Sequence, residues 1–349
     1  MTTLQLFIQM KYKVKLSIPM YGEGSNLTQF ISQKNSLFSN IEFIVNNKDF
    51  EEADFWFVFE DLNFENEQCN INKENIYYLN SETSYKVDYF FENSLQKYLD
   101  QFGGFYTPYP IYRNNHKLTF PFQFWMINSN HGDGFYNPNK RNVDYFLDLR
   151  SINKTKNLSV FCSNKINTEY QHLRFKFVKN LKSHFGDQLD WYGNGVNQLE
   201  TKWEGIKDYR YHIAIENNPF DYCLSEKIYD AFLGMSYPIY FGGKVANKIF
   251  PNDSYSSINI FNVDKSIREI ELILENKVYE DKKSEILEAK KLVCSDLNPL
   301  YRIKNIIENS QINKNKNKTT LYNKNYFYKK YTPYKKKVKR VISRKLRIN

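Results

Sequence analysis

Two short charged stretches in this chain are spaced to act on one ligand. Glu216-Asn217 follows an apolar run, and Glu226-Lys227 comes nine positions after Asn217, just behind Ser225. A carboxylate and an amine side by side on the first turn of a helix suit a ligand with both an anion and hydroxyl groups. The free N–H groups and the cation meet the anion, and the carboxylate accepts from the hydroxyls. Arg174 adds a forked guanidinium that matches phosphate oxygens, so a nucleoside diphosphate would find all it needs here. Glu82, in Asn80-Ser81-Glu82-Thr83, is a single carboxylate on a loop leaving an apolar segment. Charged pairs on a first helical turn are also common on solvated surfaces, so position must decide.

The elements that place these groups can be read from periodicity. Tyr211 to Ile215 reads as a buried strand, followed by a turn rich in Asn, Pro and Asp. Ser225 stands where a hydroxyl caps a helix, and Ile228, Ala231, Phe232 and Met235 recur at helical spacing. Pro238 is expected to stop that helix, and Ile239-Tyr240-Phe241 reads as the next strand, closed by Gly242-Gly243. The whole stretch from Tyr209 to Gly243 is then one βαβ unit, with its charges at the end where open parallel sheets bind ligands.

The rest of the chain repeats this alternation. Strands are expected at Lys13 to Ile18, Ile41 to Val45, Phe55 to Phe59 and Asn75 to Leu79, the last leading into Glu82. Ser151 to Asn157 is the linker candidate. Beyond it, Leu158 to Cys162 reads as a strand ending in Ser163-Asn164. Thr168 to Ser183 reads as a helix with Leu173, Phe177 and Leu181 on one face and Arg174 off that face. Tyr255 to Phe261 is a further expected strand. With 349 residues, two domains are expected. The divisions are 1–150, 151–309 and a tail, 310–349.

Composition narrows the function. The net charge of +10 belongs to the tail, since Ser310 to Asn349 holds 14 Lys or Arg and no Asp or Glu. The remainder carries 35 basic and 39 acidic residues, so nucleic acid is not an expected partner. From Tyr334, Val338, Val341, Ile342 and Leu346 recur at helical spacing between basic residues. That pattern fits either a helix lying on an anionic membrane surface or a solvated basic tail, with Asn313 to Lys318 as a flexible spacer. No apolar run approaches the roughly 18–20 residues of a membrane span. No secretory leader is expected, and the four dispersed cysteines read as reduced thiols. Tyr21-Gly22-Glu23-Gly24 lacks a phosphate-loop pattern, and the five histidines have no metal-ligand spacing.

The motifs resemble the α-1,3/4-fucosyltransferases, glycosyltransferase family 10, over about residues 158–262. The matching segments are Ile215-Glu216-Asn217, Asp221-Tyr222, Ser225-Glu226-Lys227 and Tyr237-Pro238-Ile239-Tyr240-Phe241-Gly242, then Ile249-Phe250-Pro251-Asn252-Asp253-Ser254-Tyr255. Upstream, Phe161-Cys162-Ser163-Asn164 and Arg174 resemble the opening of the family's nucleotide domain. Three positions depart from the pattern. The family's Tyr falls on Cys223 with Tyr222 one place earlier, its Thr is Ser225, and its Phe is Ile215. No anchor, stem or disulfides are expected, which resembles the bacterial branch.

The resemblance implies an α/β fold of GT-B type, with two Rossmann-like domains facing across a cleft. It implies an inverting transfer of L-fucose from GDP-fucose to a glycan hydroxyl, α-1,3-type, without a metal or other cofactor. The chain also has no Asp-x-Asp triplet. By resemblance, Arg174 and Lys227 meet the diphosphate, Glu226 binds the ribose, and Asn217, Tyr222, Ser163 and Asn164 belong to the donor site. Glu82 is the implied general base. The expected setting is cytoplasmic, peripheral to the membrane through 320–349. Two other readings stay open: a different sugar donor, given Cys223, or a non-catalytic glycan- or membrane-binding relative.

Overall fold

The computed structural model describes residues 11–19, 27–82, 92–129, 141–218 and 220–332. The N-terminal half runs β1 (Tyr12–Ser17), β2 (Ile41–Val45), β3 (Asp49–Glu52), β4 (Phe55–Phe59), β5 (Asn66–Ile71) and β6 (Ile76–Leu79). It continues with α1 (Asn93–Leu99), β7 (Gly104–Thr107), β8 (His116–Leu118) and α2 (Val143–Asp148). Six of these strands form a parallel sheet in the order β2-β1-β4-β6-β7-β8. Central β4, Phe-Trp-Phe-Val-Phe, is buried at every residue. A parallel strand covered on both faces reads as a continuous apolar run for this reason.

The second half runs β9 (Lys156–Phe161), α3 (Glu169–Phe185), β10 (Leu189–Tyr192), β11 (Tyr209–Ile215), α4 (Glu226–Leu233) and β12 (Tyr237–Phe241). Then come α5 (Ala246–Ile249), β13 (Ser256–Ser257), α6 (Val263–Glu275), α7 (Val278–Asp281), α8 (Lys283–Cys294) and α9 (Pro299–Glu308). Its five strands are also parallel, ordered β10-β9-β11-β12-β13, with β11 in the middle. Two parallel α/β sheets joined in tandem are a GT-B arrangement. They share a packed junction: Trp125 lies 4.7 Å from Phe30 and 5.2 Å from Phe146, whose ring faces Trp203. From α9, Arg302 returns to the first half, its guanidinium stacked on Phe120 and Phe122 and donating to Pro121 O at 2.7 Å.

Several expectations are corrected. Helix α4 ends at Leu233, before Pro238, because Gly234 caps it and Met235 takes φ 57°. Pro238 lies inside β12, where β13 pairs only from Ile239 onward, so the missing N–H falls outside that short ladder. The expected strand Tyr255 to Phe261 shrinks to Ser256–Ser257, because Asn259 N and O both bond Ser266 Oγ and turn the chain into α6. Arg174 does not stand off the apolar stripe of α3; it heads the buried row of Phe177, Val178, Leu181 and Phe185.

The largest correction concerns the tail. Residues 317–331 form β14 (Asn317–Tyr322) and α10 (Lys324–Tyr331), so the expected spacer 313–318 gives way to a paired strand from Asn317 onward. β14 pairs antiparallel with all of β5, completing a small sheet β14-β5-β3 on the first half. Alternate burial along β5 made that edge a place for another strand. The helical pattern from Tyr334 lies outside the described residues. Among the described residues no helix is long and apolar enough to cross a membrane.

Candidate functional site

The site is built on the residue that follows β11. Glu216 continues the ladder by donating its N–H to Phe241 O, while its carboxylate is wholly buried. A buried carboxylate must be matched by donors. Ser225 supplies its N–H at 2.9 Å and its hydroxyl at 2.7–2.8 Å, Tyr240 its phenol at 3.3 Å, and Lys227 an ammonium at 3.4 Å. Ser225 is also the N-cap of α4, accepting from Lys227 N. The expected cap is therefore found, and it ties the helix start to the strand end.

The next residue, Asn217, does the same for the other expected cation. Its Oδ1 accepts from Arg174 Nη1 at 2.5 Å, while Arg174 Nε is buried without a hydrogen-bond partner among the described residues. Two consecutive residues thus hold Lys227 and Arg174. Burial raises the nearby Cys162 thiol, against the pull of Arg174, so it stays protonated.

Glu226 lies 3.2 Å from Lys227 Nζ and 3.7 Å from Lys202 Nζ. Burial works to raise its pKa, but those two ammonium groups and the Ser225 hydroxyl outweigh burial and hold it at about 2. The partner Lys227 is pulled down by burial and lifted more by Glu226 and Glu216, ending above its ordinary value. Lys202 also bonds Asp230 at 3.0 Å, and Asp230 accepts Met126 N at 2.8 Å from the first half. Burial pushes Asp230 up to about 6. Sequence reasoning missed Lys202 and Asp230. Thr201-Lys202-Trp203-Glu204 carries a capping-box pattern that marks a helical turn and says nothing about Glu226.

The other expected donor residues surround this core. Ser163 is partly exposed and Asn164 exposed beyond β9. Gly195, at φ 73°, lies against Asn164, whose amide a Cβ would meet at 2.2 Å. Tyr222 is partly exposed. Cys223 is fully buried, and its carbonyl accepts from Gly243 N at 2.8 Å and the Tyr240 phenol at 3.2 Å. A Cβ on Gly243 would lie 2.6 Å from Cys223 N, which keeps that turn tight. Position 223 therefore serves the frame, while Tyr222 beside it reaches the surface of the turn. His212 donates or accepts with Ser159 at 2.8 Å, and burial lowers it to about 3, as fits a neutral packed histidine.

Glu82 lies on the other sheet, past the end of β6. Its backbone N–H donates to Glu60 Oε1 at 3.0 Å. β6 pairs with β7, Leu79 opposite Tyr106, and three residues on, the Tyr109 ring packs 4.9 Å from Phe220. Phe220 belongs to the turn between Asn217 and Ser225. The donor turn therefore packs against the segment beyond β7, the neighbour of the strand that leads into Glu82. Among the described residues no group of three or more His, Cys, Asp or Glu is placed to hold a metal ion.

Comparison with known proteins agrees with this geometry. Residues 152–281 match the family model for glycosyltransferase family 10 (fucosyltransferase), C-terminal part. No curated protein matches. Among solved structures, an α1,3-fucosyltransferase with GDP-fucose superposes with a TM-score of 0.50 at 17% identity, covering 89% of this chain and 95% of that one. An α1,3-fucosyltransferase structure with GDP gives 0.48 at 17%, covering 89% and 94%. Residues 152–281 thus carry the C-terminal domain of glycosyltransferase family 10, the fucosyltransferases, on a chain whose fold is that of a solved α1,3-fucosyltransferase.

Proposed function

We propose that this enzyme transfers L-fucose from GDP-fucose to a hydroxyl of a glycan acceptor, with inversion and α-1,3-type linkage. The observation that carries the reading is the pair Glu216-Asn217, which holds Lys227 and Arg174 together at one sheet end. Two cations there can take the charge that develops on the diphosphate as the sugar's C1–O bond breaks. Glu226, held ionised with a pKa of about 2, accepts hydrogen bonds from the ribose hydroxyls. In this reading Asn217, Tyr222, Ser163 and Asn164 contact the rest of the donor.

Inversion needs a base on the side of the sugar away from the leaving group. Glu82 takes that role: it removes the acceptor proton, the acceptor oxygen bonds to C1, and the bonding pair of the C1–O bond leaves with GDP. The reaction is proposed to need no metal. The Tyr109–Phe220 contact supports the reading by joining the Glu82 side to the donor turn.

The test is a panel of nucleotide sugars assayed with wild type and Glu82→Gln. GDP release and glycan labelling are expected with GDP-fucose, and a drop of about 10²–10⁴-fold in kcat for the variant. Preference for another donor would overturn the sugar assignment; an undiminished Glu82→Gln enzyme would overturn the base.

A further inference from the structure

The loop that carries Glu82 is pinned by a different carboxylate, Glu60, the residue after β4. Glu60 takes φ 63°, a conformation uncommon for a side chain of its size. Its Oε1 accepts from Asn80 Nδ2 at 2.6 Å, Ser81 N at 2.6 Å and Glu82 N at 3.0 Å. Its Oε2 accepts from the Tyr78 phenol at 2.9 Å and from Lys324 Nζ at 3.1 Å. One carboxylate thus orders three successive residues of the loop, and a lysine completes it.

Lys324 comes from the far end of the chain. It is the first residue of α10, and its N–H also donates to Asp61 Oδ1 at 2.9 Å. Its ammonium stands 5.4 Å from the Tyr78 ring and 5.8 Å from the Tyr98 ring. It is delivered there by the β14–β5 ladder, by Tyr322 N and O bonded to Gln101, and by the Phe327 ring against Tyr98 at 6.0 Å. A strand added to a sheet edge would need none of this last connection for its own stability.

We propose that the C-terminal strap 317–331 is a positioning element for catalysis, with Lys324 and Glu60 as positioning residues that hold the Glu82 loop. This rests on the assignment of Glu82 as base. Lys324 anchors the Glu60 carboxylate through Oε2, leaving Oε1 aimed at all three donors of the loop. Without the lysine, the loop's ladder to Glu60 loosens and the base leaves its attack geometry. Misplacement by about 1 Å costs roughly 10²-fold in rate.

The experiment compares wild type, Lys324→Met, Lys324→Arg, Glu82→Gln and the double variant Lys324→Met/Glu82→Gln. Steady-state kinetics with GDP-fucose is read together with amide hydrogen exchange at Ser81 and Glu82. Lys324→Met is expected to lower kcat by about 10–100-fold with the KM for the donor unchanged, and to speed exchange at both amides. Lys324→Arg should restore most of kcat. In the Glu82→Gln background, Lys324→Met should cost nothing further, because both changes act through one group. An additive loss in the double variant, or unchanged exchange in Lys324→Met, would overturn the positioning role. Fast exchange together with a fully active Glu82→Gln would instead sink the base assignment, and with it any catalytic part for the strap.

Discussion

Glu216 and Glu60 occupy matching places in the two sheets and do different work. Each is the first residue beyond a central parallel strand, β11 and β4. Each accepts from backbone, one N–H for Glu216 and two for Glu60, and from one tyrosine phenol and one lysine ammonium. The difference lies in where the lysine comes from. Lys227 follows Glu216 within the same βαβ unit, while Lys324 is 264 positions from Glu60. The first knot closes as soon as its unit folds; the second closes only when the C-terminal strap docks. A second difference is exposure: Glu216 is wholly buried, whereas Glu60 and Lys324 each keep 15% of their side-chain surface.

That contrast sets the largest expected effect. Lys227→Met leaves Glu216 buried and short of its cation, and breaking such a pair from one side costs about 3–5 kcal/mol. Lys324→Met leaves Glu60 able to recruit water, so its loss of stability should stay near 1 kcal/mol or below. Urea denaturation of both variants measures this. Equal losses, or a larger one for Lys324→Met, would break the distinction between a folding knot and a positioning knot. Lys227→Met should also abolish GDP binding by calorimetry, and Lys324→Met should spare it.

The next effect is in pH. Glu226 sits on the Glu216 side, with its pKa lowered from 4.5 to about 2. A lowered native pKa gives stability that is fully present above 4.5 and lost as pH falls towards 2, because the unfolded chain takes the proton first. The full amount is on the order of 3 kcal/mol. The stability gap between wild type and Glu226→Gln should therefore narrow across that window. Asp230, raised to about 6 by burial, works the other way: its ionisation costs stability as pH climbs from 3.8 to 6. A gap between wild type and Glu226→Gln that does not change with pH would mean that Lys227 and Lys202 do not hold that carboxylate.

The two knots also explain what the sequence could reveal. The placement of Asn217, Glu226 and Lys227 was legible because strand, turn and cap lie in one stretch, whereas periodicity put Arg174 off the buried row of α3 that it in fact heads. Glu82 was legible as the end of a strand. Glu60 was not, since its partners come from 78–82 and 324, and no local pattern joins them. Lys202 and Asp230 were missed for the same reason, being brought together by the junction at Met126. The strap was misread because Lys and Asn dominate 313–318; composition reported solvation, while pairing with the open edge of β5 decided the structure. The end of α4 was misplaced because proline was weighed above Gly234-Met235, where the backbone in fact turns.

The smallest effect separates the knots by one hydroxyl each. Ser225→Ala removes a donor to both oxygens of Glu216 and the cap on α4, so two roles fall together. The expected loss is about 1–2 kcal/mol, the range for an N-cap with a buried partner. Tyr78→Phe removes one donor to Glu60 Oε2 but leaves Lys324 on the same oxygen, so about 0.5–1 kcal/mol is expected. In activity the order should reverse. Loosening Glu60 moves the Glu82 loop and lowers kcat, whereas Ser225→Ala should chiefly weaken GDP affinity, read as KM for the donor. A kcat loss in Ser225→Ala greater than in Tyr78→Phe would mean that the donor knot, and not the strap, governs the reacting geometry.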